Sequence, residues 1–294
     1  MLFRSKAARD KLGITAHVRR AGQYKNAAES FVASAPSKQT LEADGALYGD
    51  LWQRYTAAIE RARKLPAGSV QAGIDHLPEN LAAAGGDTGK LALDSHLVDA
   101  LKTREEVRTA LMERGVREDK NFRQVSFSGY AGRLKPTTGR EALAVVIAEG
   151  SIVDGAAPGG TVGGLSTAEL IRQAREDEQV KAIVLRVNSP GGSAFGAELI
   201  RRELALARAA GKPVVVSMGD VAASGGYWIA TSSDAVIADA GTITGSIGVF
   251  GMLPTAEKLL DKLSLHTGGV TTTWLAGGYD VRRPLDPRMQ AAVQ

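Results

Sequence analysis

Apolar and polar positions change rhythm near residue 125. Before it, apolar residues fall at Leu41, Ala46, Leu47, Leu51, Tyr55, Ala58 and Ile59, close to the 3.6-residue period of an amphipathic helix. This predicts a helix over 40–65, ended by Pro66 and Gly68, and a second over 97–114. Beyond 125, short apolar runs alternate with amphipathic stretches. Residues 143–148 and 180–187 read as buried strands, and 214–218 and 235–238 as two more. Between them lie a glycine-rich loop over 150–164, expected to be mobile, and a helix opened by a capping box at Ser166-Thr-Ala-Glu169 that runs through Arg175. A further helix over 197–210 is stopped by Gly211 and Pro213. Strands alternating with helices give an α/β fold with a mainly parallel sheet, preceded by a mainly helical segment.

A short internal match adds a hint of duplication. Asp10-Lys-Leu-Gly-Ile14 resembles Asp261-Lys-Leu-Ser-Leu265, and a glycine-containing stretch follows each copy. A real repeat has the chain start inside one module and end inside another.

Composition narrows the function classes. The 294 residues are 44% apolar and 23% charged, enough to bury a core in one large domain or two ordinary ones. The net charge of +4 is small, and no basic block is interleaved with aromatics, which argues against nucleic-acid binding. With no cysteine, disulfides, thiolate nucleophiles and thiolate metal sites are excluded. No run of about 18 apolar residues offers a membrane span. Residues 1–20 carry Arg4, Lys6, Arg9, Asp10 and Lys11 and lack the apolar stretch of a signal peptide.

Two glycine-bordered loops carry the candidate chemistry. In Met218-Gly-Asp-Val-Ala-Ala-Ser-Gly-Gly-Tyr-Trp228, Ser224 lies between small residues, after an apolar strand and before a helix-like stretch. Its hydroxyl is open to a substrate backbone and near free N–H groups; it reads either as a nucleophile or as an N-cap serine. Val187-Asn-Ser-Pro-Gly-Gly-Ser193 also ends a strand, and can supply an oxyanion donor, grip an extended peptide or simply turn the chain. Asp154 and Asp220 read as turn or cap residues, and Tyr227 and Trp228 as core residues of the helix after Ser224.

A nucleophilic serine needs a base. None of the four histidines, His17, His76, His96 and His266, lies in either loop. Lysine is the other known partner, and Lys25 lies among small and apolar residues in Gly22-Gln-Tyr-Lys-Asn-Ala-Ala28. To act near neutral pH its amine must fall about three units from roughly 10.4, or about 4 kcal/mol, which burial can supply. By itself this lysine also reads as an ordinary exposed residue.

In order along the chain stand Val187-Asn-Ser-Pro-Gly-Gly-Ser193, Lys212-Pro-Val-Val-Val-Ser-Met-Gly219, Ala222-Ala-Ser-Gly-Gly-Tyr-Trp228 and Thr242-Ile-Thr-Gly-Ser-Ile-Gly-Val249. Together they closely resemble the signal peptide peptidase A family, in its long bacterial form with two tandem modules. Gly22-Gln-Tyr-Lys-Asn-Ala-Ala-Glu29 and Leu51-Trp-Gln-Arg-Tyr55 extend the resemblance over most of the chain, with residues 68–118 less diagnostic.

The resemblance implies Ser224 as nucleophile and Lys25 as general base, with the Gly192 and Gly225 N–H groups forming the oxyanion hole and Ser246 orienting the lysine amine. It implies a crotonase- or Clp-protease-like ββα superhelix. Residues 1–125 are then the end of a first module, with the lysine segment and linker helices, and 126–294 a second, serine-bearing module. It implies a serine endopeptidase that degrades cleaved signal peptides at the periplasmic side of the bacterial inner membrane. No cofactor or metal is expected. The full-length form is expected to be a homo-oligomer, a tetramer, held to the membrane by an anchor absent from this chain. The anchor and most of the first module are then missing, as are helices after Gln294, and Ser30 stands where the family pattern has proline. Two other readings are an acyl-CoA hydratase or isomerase of the crotonase type, which needs carboxylate bases, and a non-catalytic assembly segment.

Overall fold

The computed structural model describes residues 4–119, 121–134, 139, 141–268, 273 and 275–292. Two compact units make up the chain: residues 1–47 with 140–294, and residues 48–139. The chain opens with α1 (Lys6–Leu12), β1 (Thr15–Ala21), α2 (Glu29–Val32) and the long α3 (Lys38–Arg63), inside which the division falls. The observed α3 matches the helix expected over 40–65.

The second unit continues with α4 (Ser69–Asp75), α5 (Leu77–Ala83), α6 (Thr88–Asp94) and α7 (Arg104–Arg114), followed by a short hairpin, β2 (Arg117–Glu118) and β3 (Asn121–Phe122), and by α8 (Phe127–Ala131). α4 to α6 carry no buried residue and had no legible periodicity. α7 starts seven residues later than expected. Thr103 and Glu106 form a reciprocal capping box there, which fixes the first turn.

The first unit resumes with β4 (Ala142–Glu149), β5 (Ile152–Val153), β6 (Val162–Gly163), α9 (Gly164–Glu176), β7 (Val180–Ser189), α10 (Ala194–Ala209), β8 (Val214–Ala223) and α11 (Gly225–Ala230). Then come β9 (Ala235–Ile237), β10 (Ile243–Gly245), β11 (Val249–Thr255), α12 (Glu257–Lys262) and α13 (Pro287–Ala292). The main sheet is parallel in the order β10-β8-β7-β4, with β9 also paired to β8. Ile183, Leu185 and Val187 alternate inward on β7, as do Val214 and Val216 on β8, and all are fully buried. They pack with Ile171 of α9 and Ile200 and Leu204 of α10, whose buried positions follow the helical period.

Four expectations need correction. β4 was expected to be buried, but only Val146 and Ala148 are; Leu143, Val145 and Ile147 point to the other face and are exposed. An apolar run alone does not show whether one face or two is covered. The segment 150–164 is not a free loop, because β5 and β6 pair within it and Ile152 and Val162 are 2% exposed. The box at Ser166 does not form: α9 starts at Gly164, and Glu169 is bonded to Arg172 and Gln173 instead. α10 starts at Ala194, because the Ser193 hydroxyl accepts from the Gly196 N–H and caps it.

Gly164 and Gly196 lie where α9 and α10 meet. A Cβ on Gly164 stands 2.4 Å from the Gly196 Cα, so the two helices touch backbone to backbone. Replacing Gly164 by Ala is expected to lower unfolding free energy by about 1–3 kcal/mol, because the overlap forces a backbone shift. A denaturant titration checks this, with an unchanged midpoint as the contrary result.

The proposed repeat has a structural echo. α1 ends at Gly13 (φ 81°) and α12 is followed by Ser264 (φ 56°), so the fourth position of each copy is left-handed. The Lys262 ammonium donates to the Lys11 carbonyl, joining the two helix ends. The glycine stretch after the second copy runs to Gly269, which lies outside the described residues. Among the described residues no helix is long and apolar enough to cross a membrane.

Candidate active site

Both glycine-bordered loops lie at the carboxyl ends of parallel strands. β7 runs into Ser189 and β8 into Ala223, each longer than its apolar run suggests. Between them the register shifts, so that Val187 faces Met218 but Ser189 faces Ala222. Asn188 accepts from the Val221 N–H across this bulge, while Thr242 and Thr244 donate to the carbonyls of Gly219 and Ala222. These bonds brace the backbone leading to Ser224.

Ser224 itself sits at φ 53°, ψ −117°, a sparsely populated region for a non-glycine residue. Such a conformation costs on the order of 1–3 kcal/mol and persists only when its surroundings hold it. Its N–H is bonded to the Gly245 carbonyl at 2.8 Å. It occupies the N-cap position of α11, yet its side chain makes no cap bond. The hydroxyl is instead 2.9 Å from the Lys25 Nζ. The N-cap reading of Ser224 therefore describes its place but not its hydrogen bond.

Lys25 arrives by an antiparallel ribbon that joins the two ends of the chain. β1 pairs with β11 from Thr15↔Thr255 to Ala21↔Val249. Two glycines let the strands cross closely where they end. A Cβ on Gly22 (φ 108°) meets the Ile247 carbonyl at 2.8 Å, and one on Gly248 (φ 139°) meets the Ala21 carbonyl at 2.2 Å. The next turn, with the Lys25 N–H on the Gly22 carbonyl, sets the lysine beside Ser246. Its amine lies 2.9 Å from the Ser246 carbonyl and 3.2 Å from the Ser246 hydroxyl. Burial pushes the Lys25 amine below its ordinary pKa. A neutral amine fits these contacts well: two N–H groups donate to Ser246 and the lone pair accepts the Ser224 proton.

Gly192 and Gly225 meet at the same place. A parallel bridge ties Gly192 to Ile152, using the N–H of Ser193 and the carbonyl of Gly191. The N–H of Gly192 itself is thereby turned away from β5. A Cβ on Gly225 lies 3.3 Å from the Gly192 nitrogen, so the two glycines pack side by side. Both glycines and Ser224 line one cavity of about 670 Å³, with Ala21, Ala194, Ala197, Tyr227, Trp228, Ile247 and Val249 supplying apolar walls.

Trp228 corrects another expectation: the residue is 50% exposed and forms part of this cavity, whereas Tyr227 packs partly against the core. The indole N–H donates to Glu198, and Arg201 holds the same carboxylate through two bonds of 2.6 and 2.7 Å. Arg201, against the opposing desolvation and with Trp228, pulls the Glu198 carboxyl down to about 2. The carboxylate lining the cavity is thus neutralised in place. The i, i+3 pairing of Glu198 with Arg201 was readable on the predicted helix; its partner Trp228 was not. Asp154 accepts from the Ser193 hydroxyl, which ties it to the loop after β7 and makes it more than a free turn residue. His17 is bonded to Thr255.

Comparison with known proteins agrees in extent. Peptidase family S49 matches residues 1–117 and 206–294. Protease 4 of Salmonella typhi is 45% identical over 287 residues, 97% of this chain and 46% of its own length. Protease 4 of Haemophilus influenzae is 38% identical, covering 91% of this chain and 44% of its own. The chloroplastic serine protease SPPA of Arabidopsis thaliana is 34% identical, over 87% and 38%. The chain thus spans less than half the length of these curated relatives. A solved enoyl-CoA hydratase/isomerase family member overlaps 25% of this chain at 23% identity with a TM-score of 0.22, too little to bear on the fold. With this match over more than half of its length, the chain belongs to peptidase family S49.

Proposed function

We propose that this chain is the catalytic part of a serine endopeptidase with a Ser-Lys dyad. The observation that carries the reading is the 2.9 Å approach of Lys25 Nζ to Ser224 Oγ, with the amine pKa lowered by burial. Lys25 takes the Ser224 proton as Oγ bonds to the peptide carbonyl carbon. The electron pair moves to the carbonyl oxygen, where the Gly192 and Gly225 N–H groups receive it. The C–N bond then breaks, and the Lys25 ammonium returns its proton to the departing amine. Water, deprotonated by the same lysine, adds to the ester carbonyl; the C–Oγ bond breaks as the lysine returns the proton to Ser224 Oγ, releasing the acid and restoring the enzyme. Ser246 holds two amine protons throughout and so aims the lone pair at Ser224.

The apolar cavity beside Ser224 supports substrates with apolar side chains, in keeping with cleaved signal peptides. We further propose the family's ββα superhelix, with 1–125 as the end of one module and 126–294 as a second. On the same reading the whole protein is a homo-oligomer, a tetramer, anchored at the periplasmic side of the inner membrane. An acyl-CoA enzyme needs a carboxylate base here, but Glu198 is held ionised by Arg201 and is a weak base.

A fluorophosphonate probe tests the reading on the purified chain, together with an apolar signal peptide as substrate. The expected result is one adduct, on Ser224, and loss of peptide cleavage in step with it. Cleavage that survives full labelling, or turnover of an acyl-CoA instead, overturns it.

A further inference from the structure

A half-buried polar cluster, with Thr40 as its buried member, stands behind Lys25 and takes no part in the chemistry above. Glu29, at the start of α2, accepts from the Ser37 N–H at 2.8 Å and from the Thr40 hydroxyl at 2.6 Å, with Arg4 at 3.5 Å. Burial opposes the Glu29 charge, but the bonds from Thr40 and Ser37 and the charge of Arg4 outweigh it, so its carboxyl titrates below the usual range. A carboxylate that stays ionised can only accept, so the Thr40 proton points to Glu29. The two lone pairs of Thr40 then accept from the side-chain amide of Asn26 and from the Ser37 hydroxyl, each 3.1 Å away. Thr40 is 4% exposed. It is not needed as a cap, since the Ser37 hydroxyl already accepts from the Thr40 N–H.

Asn26 is the neighbour of Lys25. The Glu29 N–H also closes onto the Asn26 carbonyl, and the Lys25 N–H onto that of Gly22, so residues 22–29 form consecutive turns. The side-chain contact fastening them to the start of α3 is Asn26–Thr40–Glu29. We propose that Thr40 is a positioning residue for the Lys25 amine, locking the turn from which Lys25 reaches Ser224. The inference rests on the dyad reading and deepens it. The mechanism is steric: a turn that drifts outward rehydrates the amine and lengthens its path to the hydroxyl. Other charged and titratable groups nearby are Arg4 on Glu29, His17, Arg19 and Arg20 of β1 in the groove shared with Lys25, and Tyr24 bonded to Glu42. A change at Thr40 also loosens Glu29 and, through it, Arg4, since Thr40 and Arg4 share one carboxylate oxygen; Asn26→Ala spares both.

The test is the rate of fluorophosphonate labelling of Ser224 against pH in the full chain. Thr40→Val removes the hydroxyl at similar volume. Its profile is expected to move about one pH unit upward, so labelling below the midpoint slows about tenfold. Thr40→Ser keeps the hydroxyl and is expected to restore the parent midpoint. Should Thr40→Val fail to fold, Asn26→Ala removes only the donor and leaves the Glu29 cluster intact; the same upward move is expected. A parent-like midpoint in a folded Thr40→Val or Asn26→Ala, even with a uniformly lower rate, overturns the proposal. Failure of the dyad reading is separately visible as a parent profile unchanged by Lys25→Met, and overturns both.

Discussion

Lys25→Met should leave a folded protein that no longer cleaves peptide. Losing a positioned general base typically removes about 10²–10⁴ in rate, and here no second base is bonded to Ser224 among the described residues. The parent should show the matching pH dependence. On the proposed dyad the active form is the neutral amine, and burial lowers the amine pKa, so activity should rise as pH climbs through that lowered value and be lost as pH falls through it. Lys25→Met should lack this limb. Lys25→Arg should be as inactive as the methionine variant, since guanidinium holds its proton throughout the accessible range. Steady-state cleavage from neutral to alkaline pH reads all three. A Lys25→Met protein within a few-fold of the parent would require another base.

Gly192→Ala should cost nearly as much for a different reason. The new Cβ falls 2.1 Å from the Ile152 carbonyl oxygen, at a φ of 150° that side chains avoid. The bridge between Ile152 and Gly192 has to open, and the N–H it aims at the cavity turns with it. Removing one oxyanion donor costs about 10²–10³ in kcat. KM should change little, because that bond strengthens only as charge develops. Gly211→Ala is the control: φ there is 79° as well, but nothing lies within 4 Å. It should cost about 1–2 kcal/mol of stability and leave kcat alone. Equal kcat for Gly192→Ala and the parent would remove Gly192 from the oxyanion hole.

The main sheet was legible because its strands are apolar runs and its helices keep a clean period. Val180 to Val187 and Val214 to Met218 needed no tertiary knowledge. The two glycine-bordered loops were legible as sites for the same reason: they end such strands. β1 was not. Its residues Thr-Ala-His-Val-Arg-Arg-Ala have no alternating apolar face, and its partner β11 is more than 200 positions away. Only that pairing shows how Lys25 is desolvated, so composition alone left it an ordinary lysine. Trp228 was misjudged because an aromatic residue in a helix next to a core reads as core; its contact with Glu198, supplied from α10, is not visible in the sequence. The meeting of Gly164 with Gly196 was hidden because glycine contact between helices leaves no periodic trace.

The central claim, a lysine amine stripped of water and bonded to a serine hydroxyl, can be read without any substrate. Lysines carrying ¹³C at Cε are titrated by NMR, and the Lys25 signal is assigned by its absence in Lys25→Met. A midpoint below 10.5, and below that of the other lysines, is the predicted result for this resonance. A Lys25 midpoint at or above that of the surface lysines would contradict the account.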